Sequence, residues 1–248
     1  MIETVVECQP GFILHHRRYR ETSLILEVFT RDYGIISILA KGVRKAKSRT
    51  AGVLLPFKAL SVSYCGKAEL KTLTQVEAQP IQTDLTGLAL YCGFYVNELI
   101  GRFCHKHDPH PEVYADYRDC LIQLTRAMRE TENPAGFTPL LQVEAVLRLF
   151  ELNLMQHIGL ALLTEYDAHT EAPINTDAQY FFQAERGVIE HAAGTVSGKT
   201  IQAINDKVFT DAQALSEAKY IMRNVINFHL QGKPLKTRAI LAKIYQQL

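Results

Sequence analysis

A dense run of cations is the feature of the sequence with the clearest chemical meaning. Five lysines and arginines fall within the nine residues from Lys41 to Arg49, with no acid among them. Cations at this density neutralise backbone phosphates, and the released counterions give an affinity that ignores base sequence and falls as salt rises. An ordinary solvated loop is the alternative. A second basic group precedes the run, so we predict a DNA-binding surface made of Arg17, Arg18, Arg20, Lys41, Arg44, Lys45, Lys47 and Arg49.

Charge is divided unevenly along the chain, although its total is only +1. Residues 1–80 carry a net charge of +5, residues 81–228 carry −8, and residues 229–248 carry +4. An acidic middle repels DNA and is free to face protein partners, whereas the basic ends attract polyanions. We therefore add three C-terminal cations, Lys233, Lys236 and Arg238, to the predicted DNA contacts.

Aromatic residues lie close to the basic segments in the sequence. Unstacked bases pack against such rings in proteins that bind single strands. Packing in the protein core is the alternative for each ring taken singly. The candidates for base stacking are Tyr19, Tyr33, Phe57 and Tyr64.

Two other segments resemble chemical motifs, but each lacks an essential part. Gly194 to Thr200 has three residues where a phosphate-binding loop needs four before its Gly-Lys-Thr, so a helix start capped by Ser197 or Thr200 is the better interpretation. Cys104 to His110 offers zinc ligands without the second ligand pair of a structural site. No nucleophile motif of the Gly-x-Ser-x-Gly type occurs. We expect neither catalysis, nor a metal, nor a cofactor.

Composition indicates a cytoplasmic protein. The five cysteines form no Cys-x-x-Cys pair and are odd in number, as expected in a reducing compartment. The chain begins without the charged and apolar stretches of a signal peptide, and it has no apolar run long enough to span a membrane.

The hydrophobic pattern divides the chain into a β-rich part and a helical part. Within the first eighty residues, strands are predicted around residues 12–16, 23–30, 35–40, 53–64 and 69–76, a spacing typical of a small OB-fold or SH3-like barrel. Helical periodicity follows, most clearly over residues 85–103, 113–124, 140–158, 211–230 and 234–248, with a hairpin near residues 178–192. The predicted class is α+β: a barrel domain at 1–80, then a helical domain at 81–248 with a hairpin insertion.

Several segments together resemble the RecO family of recombination proteins. The resemblance extends over most of the chain and not over one motif. The matching segments are Phe12–Leu14, Glu21–Thr30, Ala40–Arg44, Leu55–Phe57, Leu90–Leu99 and Gly232–Arg238.

The resemblance implies an N-terminal OB-fold that binds single- and double-stranded DNA, with no enzymatic activity. It implies annealing of complementary strands, partnership with RecR, contact with the acidic, apolar C-terminal tail of the single-stranded-DNA-binding protein, and help in loading RecA onto gaps, in the cytoplasm and at the nucleoid. Many members carry four zinc-binding cysteines late in the chain. No cysteine follows Cys120 here, so the hairpin must hold without metal.

A site for that acidic tail is predicted on the helix at residues 140–158. An acidic peptide with an apolar end needs an apolar groove with cations at its edge. A role of the same apolar residues in the core is the alternative. The candidate residues are Leu147, Arg148, Phe150, Leu154 and Lys199.

Two other kinds of function stay open at the level of sequence. A protein–protein adaptor would use the basic barrel to bind an acidic partner, and it would show no affinity for non-specific oligonucleotides at low salt. An enzyme, such as an ATPase, would show nucleotide turnover.

Overall fold

The structure is a computed structural model that describes residues 5–45, 48, 50–129 and 138–245. Two compact units share the chain: residues 1–125 with 235–248 form unit 1, and residues 126–234 form unit 2. Unit 1 contains helices that follow the strands, so its boundaries differ from a division between residues 80 and 81. The division at that point stays a prediction about domains.

Five strands of unit 1 close into a barrel in the order β1-β2-β3-β5-β4. All neighbouring pairs are antiparallel except β3 and β5, which pair in parallel over a short stretch. Apolar side chains of every strand fill the interior, as expected for a small OB-type barrel. The strands are β1 (Val5–Tyr19), β2 (Ser23–Thr30), β3 (Gly34–Ala40), β4 (Ala59–Cys65) and β5 (Lys71–Ala78).

The fourth strand begins six residues later than the sequence pattern predicts. Pro56 lacks a backbone donor, and Phe57 adopts a left-handed conformation with φ of 67°. A residue without an N–H donor and a residue with positive φ both interrupt a strand, so the residues just before Ala59 form a turn instead. The ring of Phe57 is nevertheless buried, and it meets the ring of Phe94 at 5.0 Å.

Strand β1 pairs with β2 through one part of its length and with β4 through another. Each of these two ladders contains one bulge, at Leu14 in the ladder with β2 and at Glu7 and Cys8 opposite Ser63 in the ladder with β4. A bulge disturbs the regular hydrogen bonds of a ladder. Side chains supply the missing partners: Ser63 Oγ accepts a bond from the Cys8 amide at 3.0 Å, and Asn97 Nδ2 donates to the Leu14 carbonyl at 2.9 Å.

Two helices of unit 1, α1 (Gly87–Phe103) and α2 (Pro111–Ala127), are held against the barrel by one polar group and one aromatic group. Asn97 of α1 also accepts a bond from the Tyr117 hydroxyl of α2 at 2.6 Å. The ring of Tyr117 packs against Phe12 and Phe29 of the first two strands, with ring centroids 5.1 and 5.8 Å apart. Burial of Tyr117 raises the pKa of its hydroxyl well above its ordinary value, so it stays a proton donor.

The described part of unit 2, residues 126–129 and 138–234, contains three helices and a small three-stranded sheet. Helix α3 (Pro139–His157) starts at Thr138, whose side chain accepts from the Leu141 amide. Strands β6 (Gln179–Gln183) and β7 (Gly187–Glu190) form the predicted hairpin, and β8 (Val196–Ser197) pairs with β6. The remaining helices are α4 (Gly198–Asp206) and α5 (Ala212–His229); α6 (Lys236–Tyr245) belongs to unit 1.

The glycine-rich segment before residue 200 is a helix start, as the sequence favours. Ser197 caps α4, and its Oγ accepts a bond from the Thr200 amide at 3.2 Å. Glu217 accepts further bonds from the Ser197 amide at 2.8 Å and the Thr200 hydroxyl at 2.6 Å. The predicted α+β class, with an OB-type barrel followed by helices and a small hairpin, is confirmed.

Replacement of Asn97 by leucine tests the support of the bulge. Asn97→Leu leaves the Leu14 carbonyl and the Tyr117 hydroxyl buried without their partner, which we expect to lower the free energy of unfolding by about 2–4 kcal/mol. Urea denaturation measures the change. Tyr117→Phe is the control, since it removes one hydrogen bond and keeps the bond to Leu14, at a cost of about 1 kcal/mol. Equal losses in the two variants would contradict the role assigned to Asn97.

Candidate nucleic-acid interface

The barrel brings the two basic segments of the sequence to one end. Leu24 of β2 pairs with Arg18 on one side and with Ala40 on the other, so the β1–β2 turn and the loop after β3 are neighbours. The loop is fastened to the turn by the Arg44 amide, which donates to the Thr22 carbonyl at 2.9 Å. The Arg44 guanidinium also donates to the Arg20 carbonyl at 3.4 Å.

Six cations of this end are exposed, and we call them the basic end of the barrel. Glu21 is the acid that lies within the same two segments. Val43 is buried in the barrel core and anchors the loop, whose turn is made possible by Gly42 with φ of 70°. The arrangement directs cations outward from a fixed base. The members of the basic end are Arg17, Arg18, Arg20, Lys41, Arg44 and Lys45.

Two further predicted cations, Lys47 and Arg49, lie outside the described residues.

The candidate stacking residues divide into two pairs. Tyr19 is half-buried, and the Arg20 guanidinium lies over its ring, 5.3 Å from the ring centroid. Tyr33 is 43% exposed. Phe57 and Tyr64 are buried in the core, and burial raises the pKa of Tyr64 to about 12. Tyr19 therefore offers ring surface to a base at the basic end, whereas Phe57 and Tyr64 contribute to packing. Tyr33 is exposed, but it lies in the β2–β3 turn, at the opposite end of these strands.

The three C-terminal cations are divided between the two units. Lys233 belongs to unit 2, whereas Lys236 and Arg238 belong to unit 1. Arg238 is half-buried with its guanidinium 6.0 Å from the centroid of the Tyr95 ring. Lys233 and Lys236 are exposed. Of these three positions, Arg238 packs against α1 more than it faces solvent, so its role in DNA binding rests on the sequence alone.

Glu98 fastens the basic C-terminal helix to α1, a contact that the sequence pattern does not reveal. Its carboxylate accepts bonds from the Lys236 and Thr237 amides, both at 2.9 Å, and from the Thr237 hydroxyl at 2.7 Å. Burial raises the pKa of Glu98, but the bonds from Thr237 and Lys236 outweigh it and hold the pKa below its ordinary value. The negative charge of a carboxylate at the start of a helix also interacts favourably with the positive end of the helix dipole.

The residues predicted to bind an acidic peptide are buried inside unit 2. Leu147, Phe150 and Leu154 pack in the core, with exposed fractions of 5% or less. Arg148 is buried as well, in an ion pair with Glu151 one turn along the same helix. The periodicity of α3 is thus that of a core helix. A peptide reaches these side chains only if α3 separates from its neighbours.

Lys199 lies in a different part of unit 2. It lines a polar pocket of about 430 Å³ formed by the starts of α4 and α5 with residues near Asp177. The residues that line this pocket include none from α3, so the structure does not bring Lys199 together with the predicted apolar set.

Apolar surface is open elsewhere in unit 2. A pocket of about 370 Å³ is lined by residues 159–163, which follow α3, together with Phe182 and Phe228. Leu163 is 64% exposed and Phe228 is 44% exposed. The apolar run Leu160-Ala161-Leu162-Leu163 after Gly159 could have predicted this pocket from the sequence. Apolar residues that follow the end of a helix do not belong to its buried face, so they are available to form a separate surface.

Within residues 5–45, 48, 50–129 and 138–245, no group of three or more His, Cys, Asp or Glu is placed to hold a metal ion. None of the helices described there is long and apolar enough to cross a bilayer.

An OB-type barrel with a cationic end, joined to a helical region, defines a class of nucleic-acid-binding proteins. Two family models match this chain: the N-terminal region of recombination protein O over residues 5–80, and its C-terminal region over residues 85–239. The chain belongs to the RecO family, which places it in DNA repair and recombination and implies DNA binding.

Curated relatives agree over nearly the full length. A DNA repair protein RecO of Nitrosospira multiformis is 38% identical over 248 residues, which cover 98% of this chain and 97% of that protein. Proteins of the same name from Nitrosococcus oceani and Methylococcus capsulatus are 37% and 39% identical, over 96% and 93% of this chain and 94% and 90% of theirs. The predicted family is confirmed.

Substitution of Glu98 tests the attachment of α6. Glu98→Gln keeps the shape and loses the charge, so we expect unfolding at neutral pH to be easier by about 1–2 kcal/mol. Because the folded pKa is below the ordinary 4.5, the stabilisation is present above that pH and disappears as pH falls through the folded value. Urea denaturation of both proteins across this range measures it. Asp84→Asn, which neutralises an exposed acid, is the control. If the difference in the free energy of unfolding between Glu98→Gln and the unsubstituted protein persists at low pH, the assignment is wrong.

Proposed function

We propose that the chain is a non-enzymatic recombination mediator. It binds single- and double-stranded DNA through the basic end of the barrel, anneals complementary strands, and helps to load RecA onto gaps coated with single-stranded-DNA-binding protein. The observation that carries the proposal is the convergence of two basic segments, separate in sequence, at one end of a closed barrel.

Annealing follows from the kind of contact that the basic end makes. Arginine and lysine at exposed positions bind phosphates, which fixes the backbone without reading or covering the base edges. Neutralised backbones repel one another less, and bases that face away from the protein stay available for pairing. Tyr19, next to Arg20, adds ring surface on which a base can stack. The activity requires binding alone and no bond-making step.

Protein partners complete the proposed role. The family resemblance supports RecR, the C-terminal tail of single-stranded-DNA-binding protein, and RecA as an indirect partner, in the cytoplasm at the nucleoid. The net charge of −8 over residues 81–228 supports a division of labour, because that acidic region disfavours DNA and leaves its surface to proteins.

The acidic tail docks on unit 2 in this proposal. Its two candidate sites are the predicted set on α3, which includes Arg148, and the open pocket beside Leu163 and Phe228. The open pocket is favoured on exposure, because its apolar side chains already face solvent, although its lining includes Glu185 and neither lysine nor arginine. The α3 set has Arg148 but must first be uncovered.

The basic end is tested by the salt dependence of DNA binding. A variant with Arg18→Gln, Arg20→Gln, Lys41→Gln and Lys45→Gln loses four phosphate contacts, so the slope of log affinity against log salt for a single-stranded oligonucleotide falls by about 3. Fluorescence anisotropy at several salt concentrations measures the slope. Strand annealing, followed with and without single-stranded-DNA-binding protein, slows in the same variant.

Matched single variants supply the control. Arg18→Gln and Arg223→Gln remove the same charge, the first from the basic end and the second from an exposed position of α5. We expect the slope to change in the first alone. An unchanged slope in the fourfold variant would show that DNA binds elsewhere, and an absence of oligonucleotide binding by the unsubstituted protein at low salt would favour a protein adaptor.

The two tail sites are separated by one substitution in each. Leu163→Glu places a charge in the open pocket, so a synthetic acidic peptide with an apolar C-terminal end should bind about tenfold more weakly or worse. Arg148→Met keeps much of the side-chain volume on α3 and should leave binding unchanged. Calorimetry gives the affinities, and urea denaturation checks that each variant is folded. Loss of binding in the Arg148 variant alone would assign the tail to α3.

A further inference from the structure

A groove of about 660 Å³ lies on unit 1 between the barrel, α1 and α6. None of its lining residues belongs to the basic end. Its walls are formed by Leu14 and Ile35 from the barrel, Tyr91 and Phe94 from α1, and Ile240 from α6. We call it the α1 groove.

The groove follows one face of α1. Tyr91, Phe94, Glu98 and Gly101 succeed one another at steps of three and four residues, which places them on one side of a helix. Tyr91 and Phe94 are 36% and 40% exposed, and Ile240 of α6 is 48% exposed. Neighbouring apolar side chains that stay this exposed, with polar groups around them, mark sites where other proteins bind.

Gly101 gives the groove an open floor. A Cβ atom added there would meet no heavy atom within 4 Å, and the residue is exposed. Glycine inside a helix is unfavourable by about 1 kcal/mol relative to alanine. At this position it has no internal packing reason, since the space above it is empty. A missing side chain on a groove floor allows the backbone of another segment to approach closely.

Both acids that line the groove have a cationic neighbour. Glu98 accepts bonds from α6 and lies 3.8 Å from Arg102 Nη2, and Glu27 accepts a bond from Ser37 Oγ at 2.9 Å and lies 3.9 Å from Lys106 Nζ. Lys236 is exposed, and its ammonium group forms no hydrogen bond or ion pair with any part of the chain that the structure describes. A ligand that carries acids beside its apolar part therefore complements the edge.

We propose that the α1 groove docks an amphipathic helix of a partner protein, with its apolar stripe against Tyr91, Phe94 and Ile240 and an acidic flank beside Lys236. A helix fits because the groove runs along α1 and its floor lacks a side chain, as in close helix packing. The volume of the groove is also that of many small-ligand sites, but its exposed apolar side chains follow one another along α1, which favours an elongated partner over a compact molecule.

A synthetic helix tests this docking directly. The probe is an amphipathic peptide of about eighteen residues, or five turns, with leucines and one tryptophan on its apolar face and glutamates beside them. The chain itself contains no tryptophan, so tryptophan emission reports on the peptide alone. We expect a blue shift and saturable binding. A second peptide with lysines in place of the glutamates should bind about tenfold more weakly.

Substitutions in the groove provide the decisive comparison. Gly101→Leu fills the floor, keeps helix propensity, and should weaken peptide binding by about tenfold or more without lowering the urea midpoint. Gly52→Leu is the matched control, because Gly52 is exposed and a Cβ there also meets nothing within 4 Å. Lys236→Ala should weaken the acidic peptide and leave the basic one unchanged. The fourfold variant of the basic end should bind the acidic peptide as the unsubstituted protein does.

Three results would overturn the proposal. The first is equal binding of both peptides, or none. The second is binding by Gly101→Leu that equals binding by Gly52→Leu. The third is self-association of the unsubstituted chain that Gly101→Leu abolishes in sedimentation experiments, which would assign the groove to a second copy. All three measurements are made without DNA, so their outcome is independent of the proposed role in annealing.

Discussion

Closure of the barrel by its first strand is the constraint on which unit 1 depends. A sheet becomes a barrel only if the first strand of its order also pairs with the last, and β1 does this by pairing with β4 as well as with β2. The fifteen residues of β1 contain one bulge in each of these two ladders. Each bulge frees backbone groups that must find partners. Ser63 and Asn97 supply them, so the strand's shape is secured by two side chains, one from the opposite strand and one from α1.

Closure also creates the surface to which we assign DNA binding. The end of β1, the start of β2 and the end of β3 lie side by side, and the hydrogen bond from the Arg44 amide to Thr22 joins the loop to the turn. Cations that stand more than twenty residues apart in the chain thereby share one end of the barrel. Buried Val43 fixes the base of the loop while its charged neighbours face solvent.

The sequence predicted those parts of the structure that depend on the pattern of neighbouring residues. Short apolar runs rich in strand-forming residues predicted β2 and β3, and helical spacing predicted α1 and α5. The missing residue before Gly198 predicted a helix start and not a phosphate loop. Cation-rich segments were visible for the same reason, since charge is a property of residue type and not of position in space.

Other features depend on contacts between distant residues and have no local signature. The bond from Asn97 to Leu14 joins positions 83 apart, and Glu98 meets Thr237 at a separation of 139. Apolar spacing on α3 predicted a peptide groove, but spacing does not tell whether a face meets the core or a partner. The predicted residues of α3 are buried, as are Arg148 and Glu151, so a peptide site there stays a prediction.

Hydrogen-exchange mass spectrometry with and without a single-stranded oligonucleotide tests the assignment of DNA to the basic end most directly. Bound DNA shields backbone amides that it covers and slows their opening. We expect slower exchange in peptides spanning residues 16–25 and 38–45, with no change across α3. Protection confined to unit 2, with the β1–β2 turn exchanging as it does in the free protein, would contradict the assignment.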